Sequence, residues 1–374
     1  MTARLSRLVS SIRDAVDQDG RPLDLDALLV VDETNVQYLT GFTGDSTWLW
    51  VRADGAATLL SDRRYETQLA AECPGLDAVI RPPDQSLVHL LGELISESTT
   101  RRVGMEADHT SVAAFRSWQQ ALGRLEFVPT SQLVEKLRAV KDEREIETIR
   151  RAVQIAERSF SSVMHQWTPR MTEQEVGFEL EATMRRLGAA GVSFPPIVGV
   201  QPNGALPHYR PGDVPLASCH TLLIDWGAMV DGYASDLTRT LRRPDWTGPE
   251  ADRFRRAYSA VLEAQQAAID AIADGVSAAD VDQAARRVLE ASGLGEAFKH
   301  SLGHGIGREV HERPRLSPQS DHTLVAGMVV TVEPGVYFEG EFGIRIEDDI
   351  LVTDGGCEVL SRLPKGLDDC PLVM

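Results

Sequence analysis

Asp225 stands in LLIDWG, after three apolar residues that read as a strand, and Asp236 stands in YASDLTRT on the strand that follows. A carboxylate in so apolar a setting should not be buried unpaired, because isolated buried charge is very costly. Between the two lies Asp231-Gly232, a dipeptide that favours a two-residue hairpin turn. With those as the central turn residues, Asp225 faces Thr238, and Asp236, two residues from Thr238, lies on the same face as Asp225. Diagonal same-face neighbours are roughly 7–8 Å apart at the backbone, so the two carboxylates can converge. Glu333 and Glu347 repeat the pattern. Their midpoint is Gly340 in EGEFG, and a hairpin centred there pairs them directly and points both to one face. His304, in HSLGHGIG, is flanked by glycines that let backbone approach closely and leave the imidazole unobstructed.

Singly, each acid reads as a solvated or hairpin-stabilising carboxylate, and His304 as a structural histidine. Convergence changes that reading. At ~4 Å and an effective dielectric near ~20, each pair of carboxylates repels by about 4 kcal/mol, so cations must offset them. Two divalent ions balance four carboxylates and leave His304 as a neutral nitrogen ligand. A hydroxide bridging such a pair is the arrangement that activates water and clamps the oxygen of a tetrahedral intermediate. Carboxylate-rich ligation favours hard ions, manganese first, with iron, cobalt and zinc left open.

These residues resemble the pita-bread metallopeptidases, specifically the Xaa-Pro dipeptidase (prolidase) and aminopeptidase P branch. The stretch HSLGHGIGREVHE, residues 300–312, is similar to the family signature and departs from it mainly at Arg308, where an aliphatic residue is usual. DWG…DLTRT, VEPGVY and GIRIED also match, and NVQYLTGFTGD looks like the family's accessory domain. The resemblance covers nearly the whole chain. It implies metal ligation by Asp225, Asp236, His304, Glu333 and Glu347. It also places His208, in NGALPHYRPG, at the oxyanion or substrate carbonyl, and His311, in EVHE, at proton delivery. Imidazole suits both tasks near neutral pH. Arg345 shares the face of Glu347 and can orient a carboxylate beside the metals. His300 is a candidate pocket residue, and Glu333 the ligand that also handles the proton of the bridging water. Asp348 and Asp349 are weaker ligand candidates, though Asp349 shares the face of Glu347. Tyr209, Tyr337 and Trp48 are candidates for a proline pocket.

The expected activity is metal-dependent hydrolysis of Xaa-Pro peptide bonds, as a dipeptidase or an aminopeptidase. Two other readings stay open: a hydrolase or lyase on the same fold acting on a small non-peptide substrate, and a non-catalytic binding module. Creatinase-like activity is disfavoured, because that branch works without the metal set. Family members commonly form homodimers, so the resemblance implies one here.

The elements that must position these residues fall into two texture classes. Over residues 1–140, short apolar runs (LDALLVV, TWLWV, ATLL, RVGMEA) alternate with helical patterns (RYETQLAAEC, QSLVHLLGELISE, SVAAFRSWQQALG), which predicts an α/β domain; the resemblance implies that it is the family's creatinase-like accessory domain. Over residues 141–374, helices are followed by hairpin-connected strands, an α+β pattern, and the resemblance implies that this is the pita-bread catalytic domain. A capping box opens a helix at Thr172–Glu175, Ser277 to Asp280 signals another, and Ile146, Ile149, Val153 and Phe160 recur at helical spacing.

Length and composition agree with this. At 374 residues the chain has room for two domains, and its 43% hydrophobic and 25% charged content is that of a globular protein. The net charge of −18 repels phosphate backbones and argues against nucleic-acid binding. Cys73, Cys219, Cys357 and Cys370 make no metal-finger or C-x-x-C spacing and read as thiols in a reducing compartment. The first residues lack a sustained apolar run, and Leu5, Leu8, Val9, Ile12 and Val16 instead share one helical face. No transmembrane span is expected, and the expected location is cytoplasmic.

Overall fold

Leu5, Leu8, Val9 and Ile12 are buried along one face of the helix Ala3–Arg13, which Thr2 caps by accepting from the Leu5 amide at 3.3 Å. Val16 was expected on the same face but lies beyond the helix end and is 54% exposed. The chain has already turned there, and Val16 forms an isolated bridge with Pro22 instead.

The computed structural model describes residues 2–96, 98–218, 220–369 and 371–373. Cys219 and Cys370 lie outside the described residues, while Cys73 and Cys357 are free thiols. The chain divides into two units, Met1–Arg138 and Ala139–Met374.

In the first unit the four apolar runs become strands Ala27–Val30, Trp48–Arg52, Ala57–Asp62 and Arg102–Glu106. Two further strands, Asp77–Arg81 and Glu126–Thr130, close the edges of a six-stranded mixed sheet. The sequence did not announce these edges: Asp77–Arg81 has no fully buried residue, and Glu126–Thr130 carries Pro129. Alternation along Ala27–Val30 serves both faces. Leu28 and Val30 join the cluster around Leu5, Leu8 and Leu39, while Ala27 and Leu29 join the one around Leu90, Leu91 and Trp118.

The second unit is built from two helix pairs, each against its own sheet. Helices Glu143–Met164 and Glu173–Arg186 both open with capping boxes, Asp142 with Glu145 and Thr172 with Glu175. They pack on the strands Ile197–Val200, Thr221–Trp226 and Leu237–Arg242 through Ala156, Phe160, Leu180, Ile224 and Leu237. Helices Pro249–Asp270 and Ala278–Ala291, the latter capped by Ser277, cover a five-stranded sheet. That sheet contains Gly303–Gly305, Glu312–Leu316, Val329–Val332 and Asp348–Thr353.

The hairpin registers follow from the turns. Asp231 and Gly232 both take positive φ, 47° and 77°, the conformation that aligns a tight hairpin. Asp225 accordingly stands opposite Thr238. Gly340, with φ 76°, turns the other hairpin. There, Val332 pairs with Asp348 and Gly335 with Arg345, one register that brackets Glu333 and Glu347 on both sides. An isolated bridge between Thr238 and Glu347 joins the two hairpins.

Candidate metal centre

Five sequence-selected side chains meet where these hairpins join. Asp225 comes from the strand Thr221–Trp226, and Asp236 from the short break before Leu237–Arg242. His304 lies on Gly303–Gly305, Glu333 just past Val329–Val332, and Glu347 between Phe342–Arg345 and Asp348–Thr353. Asp236, His304 and Glu347 each offer one ligand atom, all within 4.8 Å of one another. His304 Nε2 lies 3.4 Å from Glu333 Oε1 and 3.8 Å from Asp236 Oδ2. Thr331 links two of the elements: its hydroxyl accepts from the His304 amide at 3.1 Å and donates to Glu333 Oε1 at 3.4 Å.

The electrostatics are those of an anionic cluster. Burial, then the Glu347, Asp225, Asp349 and Glu333 carboxylates, push Asp236 well above the ordinary carboxyl range. Burial, then Glu333 and Asp225, do the same to Glu347. Burial pushes Glu333 up to about 8, against the opposing pull of Arg345. Burial, then His311, bring His304 down to about 4, so its imidazole is neutral at pH 7 and free to coordinate. Asp225 Oδ1 and Asp236 Oδ1 are buried without a hydrogen-bond partner among the described residues. A buried carboxylate oxygen lacking a donor is expensive. Divalent cations answer both the missing donors and the mutual repulsion, and four carboxylates with one imidazole suit hard ions.

Arg345 is the fixed counter-charge. Fully buried on the strand Phe342–Arg345, it donates from Nη2 to Asp225 Oδ2 (2.5 Å), from Nε to Thr238 Oγ1 (3.1 Å) and from Nη1 to the Tyr337 hydroxyl (2.8 Å). Tyr337 lies 2.9 Å from His300 Nε2, and burial followed by Arg345 brings His300 down to about 4. His311 packs edge-on to His304 with ring centroids 4.4 Å apart. Burial, then Arg315 and His208, lower its pKa. His208 lies on the loop before Thr221–Trp226, close enough to both His300 and His311 to act on them electrostatically. Arg308 stacks over the Tyr233 ring at 5.1 Å, so the departure from the family signature is absorbed by a cation–π contact.

Several contributors were not identified from the sequence. Thr238 binds both Glu347 and Arg345, although DLTRT placed it only two residues past Asp236. Arg315 stands opposite His304 across paired strands, an exposed cation at the rim. Asp349, which the sequence marked only as a weaker ligand candidate, accepts from the Asp236 amide at 3.0 Å and so supports a cluster member. Gln265, fully buried on Pro249–Asp270, donates to the carbonyls of Val332 and Ile346, each immediately before one of the two glutamates. Arg239 pairs with Asp348 at 2.7 Å and donates to the Glu347 carbonyl at 2.6 Å. Of the aromatic candidates, Tyr337 lies at the centre, Tyr209 donates to Glu173, and Trp48 packs on Trp118 within the first unit.

Residues 147–354 match the model of metallopeptidase family M24, and residues 9–140 match the Creatinase/Prolidase N-terminal domain. An uncharacterized peptidase of Bacillus subtilis is 35% identical over 92% of this chain and 96% of its own length. A solved structure described as an Xaa-Pro dipeptidase from Bacillus anthracis superposes with a TM-score of 0.90 at 34% identity, covering 97% of this chain and 98% of that one. Another, an X-Pro aminopeptidase from Thermotoga maritima, gives 0.84 at 35% identity, covering 91% and 97%.

Proposed function

This chain belongs to metallopeptidase family M24, with a creatinase/prolidase N-terminal domain ahead of a pita-bread catalytic domain, and from that premise we propose that it hydrolyses Xaa-Pro peptide bonds with two divalent ions, manganese by preference. The observation that carries the reading is the convergence of Asp236, His304 and Glu347 with Asp225 and Glu333 at their edge. Those five residues would hold the ions, which supply water activation and polarisation of the scissile carbonyl.

The chain's own residues do the rest. Glu333, beside His304, would be ionised once the ions offset the charge of the cluster and would then take the proton of the attacking water. Arg345 fixes the Asp225 carboxylate through one oxygen and leaves Oδ1 for coordination. His208 donates to the substrate carbonyl as charge develops on its oxygen. His311 delivers a proton to the departing prolyl nitrogen. His300, tied to Tyr337, lines the pocket. Arg315, at the rim opposite His304, suits the carboxylate end of a short peptide.

Cytoplasmic residence and a homodimer complete the proposal. Among the described residues, no helix is long and apolar enough to cross a membrane.

The test is hydrolysis by manganese-loaded protein of Xaa-Pro dipeptides, Xaa-Pro tripeptides and matched Xaa-Ala dipeptides, side by side. Selective cleavage before proline is expected. Equal rates on the alanine peptides, or cleavage of none, would overturn the specificity.

A further inference from the structure

The segment 200–212 carries His208 and, past its first residue, is not a strand. It leaves Ile197–Val200 through a single 3₁₀ turn, Gln201–Ala205, and contains Pro202, Pro207 and Pro211. Such a segment needs another source of order if a histidine on it is to meet a substrate reproducibly.

Four neutral donors from this one segment converge on the carboxylate of Glu173. The Val200 amide (2.7 Å) and Asn203 Nδ2 (2.8 Å) donate to Oε1. The Tyr209 hydroxyl (2.8 Å) and the Gly212 amide (3.1 Å) donate to Oε2. Asn203 Nδ2 also donates to the Tyr209 oxygen at 2.9 Å, which closes the circuit. Glu173 is fully buried at the first turn of Glu173–Arg186. A carboxylate there would ordinarily serve its own helix by interacting with the free amides of the first turn. Here Glu175 and Thr172 form the capping box, and both oxygens of Glu173 turn outward to the loop. The helix start is bound to the same loop, because the Gln174 amide donates to the Gly212 carbonyl at 3.0 Å. Burial and then Glu173 push the Tyr209 hydroxyl up to about 12, so it remains a donor across the working pH range.

The other side of the loop is seated on the strand that carries Arg345. A Cβ on Gly343 would lie 1.8 Å from the Gly204 carbonyl oxygen, so the backbones touch directly. The loop is thus held from behind by one carboxylate and from the front by β-backbone, with His208 beside the Tyr209 tether.

We propose that Glu173 is a positioning residue for His208: its buried carboxylate gathers residues 200–212 and fixes where the imidazole meets the substrate. The proposal rests on the role given to His208 above. Misplacing a reacting group by about an ångström can cost roughly 10²-fold, so loosening this knot should cost turnover without touching metal binding.

The test has two arms. In the first, amide hydrogen exchange across 200–212 is compared in the wild type, Glu173→Gln and Tyr209→Phe; should Glu173→Gln fail to fold, Tyr209→Phe carries the comparison. Faster exchange confined to this segment is expected, and unchanged exchange would overturn the tether. In the second, kcat/KM on an Xaa-Pro dipeptide is measured for Tyr209→Phe, His208→Ala and the double variant, all loaded with manganese. Tyr209→Phe should lower kcat/KM about 10-fold in the wild-type background and leave His208→Ala unchanged, because acting through His208 makes the two effects non-additive. Equal losses in both backgrounds would mean that the knot acts on something other than His208. Wild-type turnover in His208→Ala would contradict the role of His208 and this use of the tether, while the exchange arm alone decides whether Glu173 holds the loop.

Discussion

Thr238 donates its hydroxyl to Glu347 Oε2 at 2.6 Å while standing directly opposite Asp225 on the neighbouring strand. One threonine therefore ties the acids of one hairpin to those of the other. Thr238→Val keeps the shape and removes both this bond and the acceptor for Arg345 Nε. A hydrogen bond to a charged group contributes about 1.5–3 kcal/mol, so the manganese Kd should rise at least about 10-fold by calorimetry. An unchanged Kd would show that Glu347 is held by its backbone alone.

Asp236→Asn removes one charge from a cluster whose members raise each other's pKa. The metal-free variant should be at least as heat-stable as the metal-free wild type, because repulsion is relieved. Its melting temperature should rise less when manganese is added, since stabilisation by a ligand follows RT ln(1 + [L]/Kd). Melts with and without manganese decide the point, and equal metal-induced shifts in the two proteins would remove Asp236 from the ligand set.

His208→Ala and His311→Ala should each keep the metal content and lose turnover by roughly 10²–10⁴-fold, the range for losing an acid–base or oxyanion group. Neither imidazole belongs to the group formed by Asp236, His304 and Glu347. Metal loss in either variant, or full activity, would contradict the assignment.

Glu106 in the first unit supplies a pH prediction. Burial pushes it up to about 7, against the amides of Asp32 and Val31 and the side chain of Asn35, which favour the carboxylate. The folded state therefore holds this proton more tightly than the unfolded chain, where the group titrates near 4.5. Its stabilisation is full below about pH 4.5 and is lost as pH rises through about 7. Glu106→Gln cannot titrate, so the stability difference between metal-loaded wild type and variant should shift against the wild type across that interval. Urea melts at several pH values measure it, and a constant difference would place the titration elsewhere.

The convergence of the candidate ligands was legible because turn chemistry fixed the hairpin registers. Asp231-Gly232 and Gly340 each centre a hairpin, and strand periodicity then determines which acids share a face. What joins the hairpins was not legible. Thr238 and Glu347 are 109 residues apart, and no local pattern announces their bridge. The same holds for Gln265 behind the two glutamates and for Glu173 behind the His208 loop, since each is a polar residue on a helix whose partners arrive from distant strands and loops. Edge strands Asp77–Arg81 and Glu126–Thr130 escaped notice because half-exposed strands carry a weak hydrophobic signal.

Metal stoichiometry coupled to turnover tests the central claim most directly. Purified protein would be stripped with a chelator, reloaded with manganese, freed of excess ion, and assayed by elemental analysis alongside Xaa-Pro dipeptide hydrolysis. The account expects two ions per chain, with hydrolysis abolished by chelation and restored on reloading. Protein that binds no manganese, or that hydrolyses the dipeptide equally well after stripping, would contradict it.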